Sequence, residues 1–252
     1  MPGVQLHHGD ALAVLPTIEP ASIDAVITDP PYNSGGRTAS ERRGQSAMDK
    51  YVSGGSKVET TLADFTGDNR DQRGFLAWLS LILSGCLAAA RPGAHLLVFS
   101  DWRQVPVVSD AVQAAGWTWQ GTLVWHKPIS RPRRGGFKSA AEYILWGTSG
   151  RFDATREVYL PGVFSASQPR GRQRRHITQK PVDGLLDELV QICPPGGTVL
   201  DPFTGSGSTG VAALQAGRSF VGIELSGHYH HVAAERLGVA AAVHDAPPGM
   251  IH

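Results

Sequence analysis

The chain reads as an α/β protein built on a mostly parallel sheet with helices on both faces. Three observations lead there. Short apolar runs rich in β-branched residues alternate with helical stretches along most of the 252 residues, the pattern of parallel strands joined by helical crossovers. One run, Ile23–Thr28, is almost wholly apolar and stops abruptly at Asp29-Pro30-Pro31, as a buried strand ended by proline does. Further on, Thr198-Val199-Leu200 leads into a glycine-rich turn, a helical pattern and a second strand ending in an acid, Ser219–Glu224. That is the outline of a nucleotide-binding βαβ unit.

Taken in order, Gln5–His8 is a short strand, and Gly9-Asp10 opens a helical stretch from Ala11 to Leu15 closed by Pro16. Ile23–Thr28 is the next strand. Residues 33–74 are rich in Gly, Ser, Arg, Asp and Thr and lack apolar periodicity; a stretch that long predicts a functional or mobile loop. Then come helix 75–90, strand 95–100, helix 103–115 and strand 117–125. Irregular stretches at 129–139 and 148–176 flank strand 142–147, and helix 181–192, strand 198–201, helix 207–217, strand 219–224 and helix 227–237 complete the order. Residues 1–237 make one domain, and 238–252, ending in Pro247-Pro248-Gly249-Met250-Ile251-His252, predict a poorly ordered tail.

Composition sets outer bounds. Apolar residues at 41% and charged residues at 18% describe an ordinary soluble protein. The most apolar stretch, Phe75 to Ala90, contains Ser80, Ser84 and Gly85 and reads as a buried helix, so no spanning helix is expected. Met1-Pro2-Gly3-Val4-Gln5 lacks a basic segment followed by an apolar one, which predicts no secretory signal and a cytoplasmic setting. Cys86 and Cys193 stand alone and read as buried filler in a reducing compartment, with no metal site.

The net charge of +1 says little, but its distribution says more. Between Lys127 and Lys138 lie Arg131, Arg133 and Arg134 with no acid; between Arg170 and Lys180 lie Arg172, Arg174 and Arg175, again with none. Both runs carry Pro or Gly and read as loops. A solvated charged loop is the plain interpretation; two such loops bracketing motif strands point instead to a phosphate backbone.

Two motifs carry the chemistry. Asp29-Pro30-Pro31-Tyr32 places a carboxylate, stiffened carbonyls and an aromatic ring at the carboxyl end of a strand, where open α/β sheets bind ligands. Asp29 and the Pro30 carbonyl suit the two N–H groups of an amino nitrogen, and Tyr32 suits a planar ring. The second motif runs Asp201-Pro202-Phe203-Thr204-Gly205-Ser206-Gly207-Ser208-Thr209-Gly210. Its glycines allow close backbone approach, and Glu224, roughly 20 residues on, is placed for ribose hydroxyls. Alone, this second motif suits a nicotinamide-dependent oxidoreductase equally well.

Together the two motifs resemble the circularly permuted β class of S-adenosylmethionine-dependent DNA amino-methyltransferases. Four further segments follow in that family's order: Leu96–Asp101, Leu123–Pro128, Glu142–Trp146 and His176-Ile177-Thr178-Gln179-Lys180-Pro181. The resemblance implies a Rossmann-like sheet of seven strands with one antiparallel strand at an edge. It implies that Gln5–His8 pairs beside strand 219–224. It also implies that Asp29, Pro30, Pro31 and Tyr32 are catalytic, and that Asp201, Pro202, Phe203, Gly205, Gly207 and Glu224 bind the cofactor. Asp10 would meet the cofactor's adenine, with a helix cap as its other reading, and Lys180 the cofactor's carboxylate, with a surface charge at a helix start as its other reading. Double-stranded DNA is the implied partner, through Arg131, Arg133, Arg134, Lys138, Arg170, Arg172, Arg174 and Arg175, and a homodimer is possible within the class. Recognition is expected to be shared among 33–74, 129–139 and 148–176. The D-P-P-Y form favours adenine N6 over cytosine N4. An oxidoreductase leaves Asp29–Tyr32 unexplained, and a DNA-binding protein without catalysis is at odds with the intact motif.

Overall fold

The computed structural model describes residues 2–32, 70–130, 132, 134–168 and 180–239. Of the expected loop 33–74, residues 33–69 lie outside the described residues, as do Met1, Arg131, Arg133, 169–179 and the tail from 240, while residues 72–74 are already helical, capped by Asp71 through the Gly74 N–H.

The strands are β1 (Val4–His8), β2 (Ile23–Thr28), β3 (Ala90–Ser100), β4 (Thr118–His126), β5 (Ala141–Thr148), β6 (Val163–Ser165), β7 (Thr198–Asp201) and β8 (Ser219–Glu224). They form one eight-stranded sheet in the order β1-β8-β7-β2-β3-β5-β4-β6. Every neighbouring pair is parallel except those of β5, which runs antiparallel to both β3 and β4. The α/β class, the mostly parallel sheet and the pairing of the first strand with the last all match the sequence reading. Two details differ. The sheet has an eighth strand, because Val163–Ser165 adds to the β4 edge, and three residues leave no periodicity to read. The antiparallel strand is also interior rather than at an edge.

Alternation along the central strands divides the core. Val26, Leu96, Val98 and Leu200 face a cluster that includes buried residues of α1 (Ala11–Val14), α2 (Gln72–Ala89) and α3 (Val105–Ala114). Ala25, Ile27, Leu97, Phe99 and Val199 face the other cluster, with Leu185–Cys193, α5 (Ser208–Gln215) and Leu237 of α6 (Gly227–Leu237). Helix α2 is long and apolar enough to cross a membrane by length and composition. Here it is a core helix, burying Phe75, Leu79, Ile82, Leu83, Cys86 and Ala89 on the sheet. Both cysteines are buried and free.

The expected helix 181–192 is broken at its start. Asp183 is extended and Gly184 takes a left-handed φ of 72°, which glycine adopts without steric cost. From Leu185 the chain is helical again, through α4 (Asp187–Leu189) and the tight turn Val190–Ile192. Residues 149–162 have neither helix nor strand, as expected of an irregular stretch, but they pack against the fold. The Ser149 carbonyl accepts the Gly93 N–H, the Phe152 ring sits 5.5 Å from His95 and 5.9 Å from Trp146, and the Arg156 guanidinium donates to the Ile192 carbonyl at 2.6 Å. Ser149 follows the carboxyl end of antiparallel β5, so this segment starts at the edge of the sheet opposite Asp29.

Candidate active site

Five adjacent parallel strands end in an acid along one rim. In sheet order these are Asp10 after β1, Glu224 on β8, Asp201 on β7, Asp29 after β2 and Asp101 after β3. Asp101 is a cap, its Oδ1 accepting the Arg103 and Gln104 N–H groups at 2.9 and 3.1 Å. The other four split into two halves.

The first half surrounds the glycine-rich turn. Gly205 and Gly207 have φ of 53° and 81°, backbone conformations that side chains disfavour. At Gly210 a Cβ would lie 2.8 Å from both Leu237 and Phe220, so its absence lets α5 pack closely on β8 and α6. Glu224 accepts the Gly205 N–H at 2.7 Å and the Ser226 N–H at 2.8 Å. Burial raises its pKa and these two backbone donors oppose the rise. Each carboxylate oxygen keeps a second lone pair for a ligand hydroxyl. The register sets His8 opposite Glu224, and the Gly9 N–H donates to the Glu224 carbonyl at 3.0 Å, so Asp10 emerges beside it. Asp10 caps α1 through the Leu12 N–H at 2.9 Å, one of its two readings, and the residue is exposed. The Phe203 ring stands 5.3 Å from Trp78, which carries Arg70 at 4.3 Å over its ring. A left-handed glycine turn, a ribose-type acceptor and an aromatic wall together fit an adenosyl cofactor.

The second half surrounds Asp29. Lys180 donates to Asp29 Oδ2 at 2.5 Å and to the Tyr32 hydroxyl at 2.9 Å, and lies 3.4 Å from Glu142 Oε2. The Tyr32 hydroxyl donates to Glu142 Oε2 at 3.1 Å, and Lys127 donates to Glu142 Oε1 at 2.9 Å. The Lys180 side chain is only 6% exposed, its ammonium 5.0, 5.1 and 5.9 Å from the rings of Phe99, Tyr32 and Trp125. Asp29 Oδ1 is buried and has no partner among the described residues. Burial raises the Asp29 pKa, with Lys180 pulling against it. Burial also works to raise Glu142, but the two lysines hold it below the ordinary carboxylate value. Burial and the two carboxylates push the Tyr32 pKa well above the ordinary phenol value, so its hydroxyl stays a donor.

The two halves meet at Asp201, buried between them, whose Oδ1 accepts the Thr28 hydroxyl at 2.8 Å and the Phe203 N–H at 3.0 Å. The structure thus brings Asp29, Pro30, Pro31, Tyr32, Asp201, Pro202, Phe203, Gly205, Gly207, Glu224 and Asp10 to one rim. Lys180 joins them, but its ammonium is engaged on the Asp29 side. Arg134 and Lys138 belong to the 129–139 stretch, where Lys138 is exposed. That stretch is closed at its base by the Lys127 N–H donating to the Ala140 carbonyl at 2.8 Å, next to Glu142. Lys127, counted with the basic run in the sequence, pairs with Glu142. Glu142 was visible only as the start of a strand; because β5 runs antiparallel, that start falls on the catalytic rim.

Sheet and rim define a Rossmann-like methyltransferase. The chain belongs to the DNA methylase family that groups N6 and N4 enzymes, whose pattern matches residues 23–235, and the family uses S-adenosylmethionine. It is 33% identical over 230 residues to "Putative methylase YubD" of Escherichia coli (strain K12), covering 91% of this chain and 88% of that protein. It is 27% identical to the Type II methyltransferase M2.DpnII of Streptococcus pneumoniae, covering 92% and 88%. Among solved structures it resembles the M1.HpyAVI–SAM complex, with a TM-score of 0.66 at 22% identity over 94% of this chain and 100% of that one. It also resembles the cytosine-N4-specific PvuII DNA methyltransferase, with a TM-score of 0.68 at 17% identity over 95% and 89%.

Proposed function

We propose that this DNA methyltransferase acts on the N6 amino group of an adenine flipped out of double-stranded DNA. The observation that carries the reading is Asp29 Oδ1, a buried carboxylate oxygen that no described residue partners, beside the cofactor half of the rim. Leaving a buried acceptor unpaired is costly, and an incoming amino N–H satisfies it. An amino nitrogen on a nucleobase is a weak nucleophile because its lone pair is delocalised into the ring. Asp29 and the Pro30 carbonyl, each accepting one N–H, favour a pyramidal nitrogen whose lone pair is free. Pro31 stiffens the loop that holds them, and Tyr32 stacks on the base. S-adenosylmethionine, when bound, supplies an electrophilic sulfonium methyl. Asp10, Glu224, Phe203 and the turn Asp201–Gly207 orient it, so positioning and electrostatics provide the acceleration. As the N–C bond forms the sulfonium C–S bond breaks, and the surplus proton then leaves the nitrogen through Asp29 or water.

An amino group inside a duplex is out of reach, so the base must be extruded. Phosphate contacts fall to Arg134 and Lys138, and to Arg131, Arg133, Arg170, Arg172, Arg174 and Arg175, which lie outside the described residues. Residues 1–237 act as one catalytic domain, with a homodimer compatible with the class. Cytosine N4 presents the same two N–H groups and is the second reading; the acid at Asp29 favours adenine. Asp29→Ala is the test. Methyl transfer should fall by about a hundredfold or more while calorimetric affinity for S-adenosylmethionine is retained. Activity within about tenfold of wild type contradicts the assignment.

A further inference from the structure

The resemblance implies that Lys180 meets the cofactor's carboxylate, yet in the structure its ammonium is engaged by two hydrogen bonds and a further ion pair. An ammonium has three N–H donors, and Asp29 Oδ2, the Tyr32 hydroxyl and Glu142 Oε2 lie around it at 2.5, 2.9 and 3.4 Å. Glu142 is itself tied down, with Lys127 on its other oxygen at 2.9 Å. The result is a line of alternating charge, Asp29, Lys180, Glu142 and Lys127, running along the rim from the end of β2 to the end of β4. A buried ammonium without such partners is strongly unfavourable, so the line holds Lys180 in place. The faces of Phe99, Tyr32 and Trp125 close around it and add cation–π attraction.

We propose that Lys180, anchored by Glu142 and Lys127, is a positioning residue that fixes Asp29 as an ionised carboxylate with only Oδ1 left unpaired for the target amino group. This rests on the amino-group reading of the site. With Oδ2 taken, the carboxylate cannot rotate away from the nitrogen. With a cation against it, it stays charged where burial favours the acid. The groups facing Asp29 are Lys180, Glu142 and Tyr32 at the network and Asp201 on the cofactor side. Lys180 is the cation among them, with Lys127 beyond Glu142. Glu142 also balances the Lys180 charge when positive charge develops on the nitrogen.

The test compares Lys180→Met, Lys180→Arg and Glu142→Gln in the full chain. Single-turnover methyl transfer is followed against pH, and S-adenosylmethionine affinity is measured by calorimetry. A cation beside a carboxylate lowers its pKa by about 1–3 units, so Lys180→Met should move the acid limb of the rate profile up by about that much. Activity that Lys180→Met loses near neutrality should partly return at higher pH. Lys180→Arg should keep the wild-type limb, and all three variants should bind the cofactor within about twofold of wild type, a difference small beside the roughly tenfold expected when a charged partner of the ligand is removed. Glu142→Gln removes a negative charge that works to raise Asp29, so it should move the limb the opposite way by less, and Lys180→Gln decides the matter if Lys180→Met does not fold. An unmoved limb overturns the proposal. So does a limb unmoved while cofactor affinity falls about tenfold or more, which returns Lys180 to the cofactor's carboxylate. An inactive Asp29→Ala beside an unmoved Lys180→Met limb removes only the role of Lys180, whereas an active Asp29→Ala removes the site reading itself.

Discussion

Single residues on this rim are distinguished by their surroundings rather than their type. Asp29 and Glu142 share one lysine, yet the first is driven up by burial and the second is held down by a further cation. Asp201 is the extreme case. Burial lifts it from 3.8 to about 7, against the hydrogen bonds of Thr28, Phe203 and Thr209. The folded protein therefore holds this proton more tightly than the unfolded chain. The associated stability is present below about 3.8 and is lost as pH rises through about 7. Asp201→Asn keeps the acceptor oxygen and removes the charge. It should melt above wild type at pH 8, with the difference shrinking towards pH 4, in thermal melts of the cofactor-free protein. Equal melting temperatures across that range contradict the assigned environment. Asp29, Asp201 and Glu224 were legible in the sequence because each sits where a strand meets a turn, two of them directly before a proline. Glu142 and Lys127 were not, because their importance depends on the direction of β5 and on a pairing 15 residues apart across a loop.

At the scale of elements, the glycine turn works by close packing as much as by ligand access. A methyl at Gly210 would lie 2.8 Å from Phe220 and from Leu237, forcing α5 away from β8. Gly210→Ala should cost about 1–3 kcal/mol of stability by denaturant unfolding, and its cofactor affinity should fall as the turn shifts; an unchanged midpoint argues against that packing. The strands Ile23–Thr28, Thr198–Asp201 and Ser219–Glu224 and the helix Gly227–Leu237 have the bounds the sequence predicted, each closed by an acid, a proline or a glycine. Elsewhere the bounds differ. The strand expected at 95–100 instead starts at Ala90, the last residue of the expected helix, which pairs with Ile23 across a register shift. Gly184 interrupts a stretch whose apolar spacing looked continuous. Val163–Ser165 is a strand only because β4 offers it an edge.

Over the whole molecule, the strand order sets the first strand beside the last and places the cofactor half and the amino-group half on neighbouring strands. The parallel sheet was legible because strand–helix alternation restricts topology, whereas the pairing of the first strand with the last followed only from the resemblance, and the ligand-bearing strand ends from the motifs. The DNA-facing surface was less so. Basic runs give charge but not direction, as Lys127 shows by pairing with Glu142, and the irregular stretch 149–162 packs against the fold. Neutralising Arg172, Arg174 and Arg175 together should weaken DNA binding and reduce the log–log salt slope by about 0.9 for each phosphate left without its cation. Unchanged affinity and slope, measured by fluorescence anisotropy over a salt series, would place the phosphate-binding surface on the 129–139 loop instead.

The most direct test is the identity of the modified base. Unmethylated DNA incubated with the protein and labelled S-adenosylmethionine, then digested to nucleosides and resolved by mass spectrometry, should yield N6-methyladenine, and Asp29→Ala should yield none. N4-methylcytosine in its place contradicts the adenine assignment, and DNA left unlabelled by wild-type protein that binds the cofactor contradicts the catalytic account as a whole.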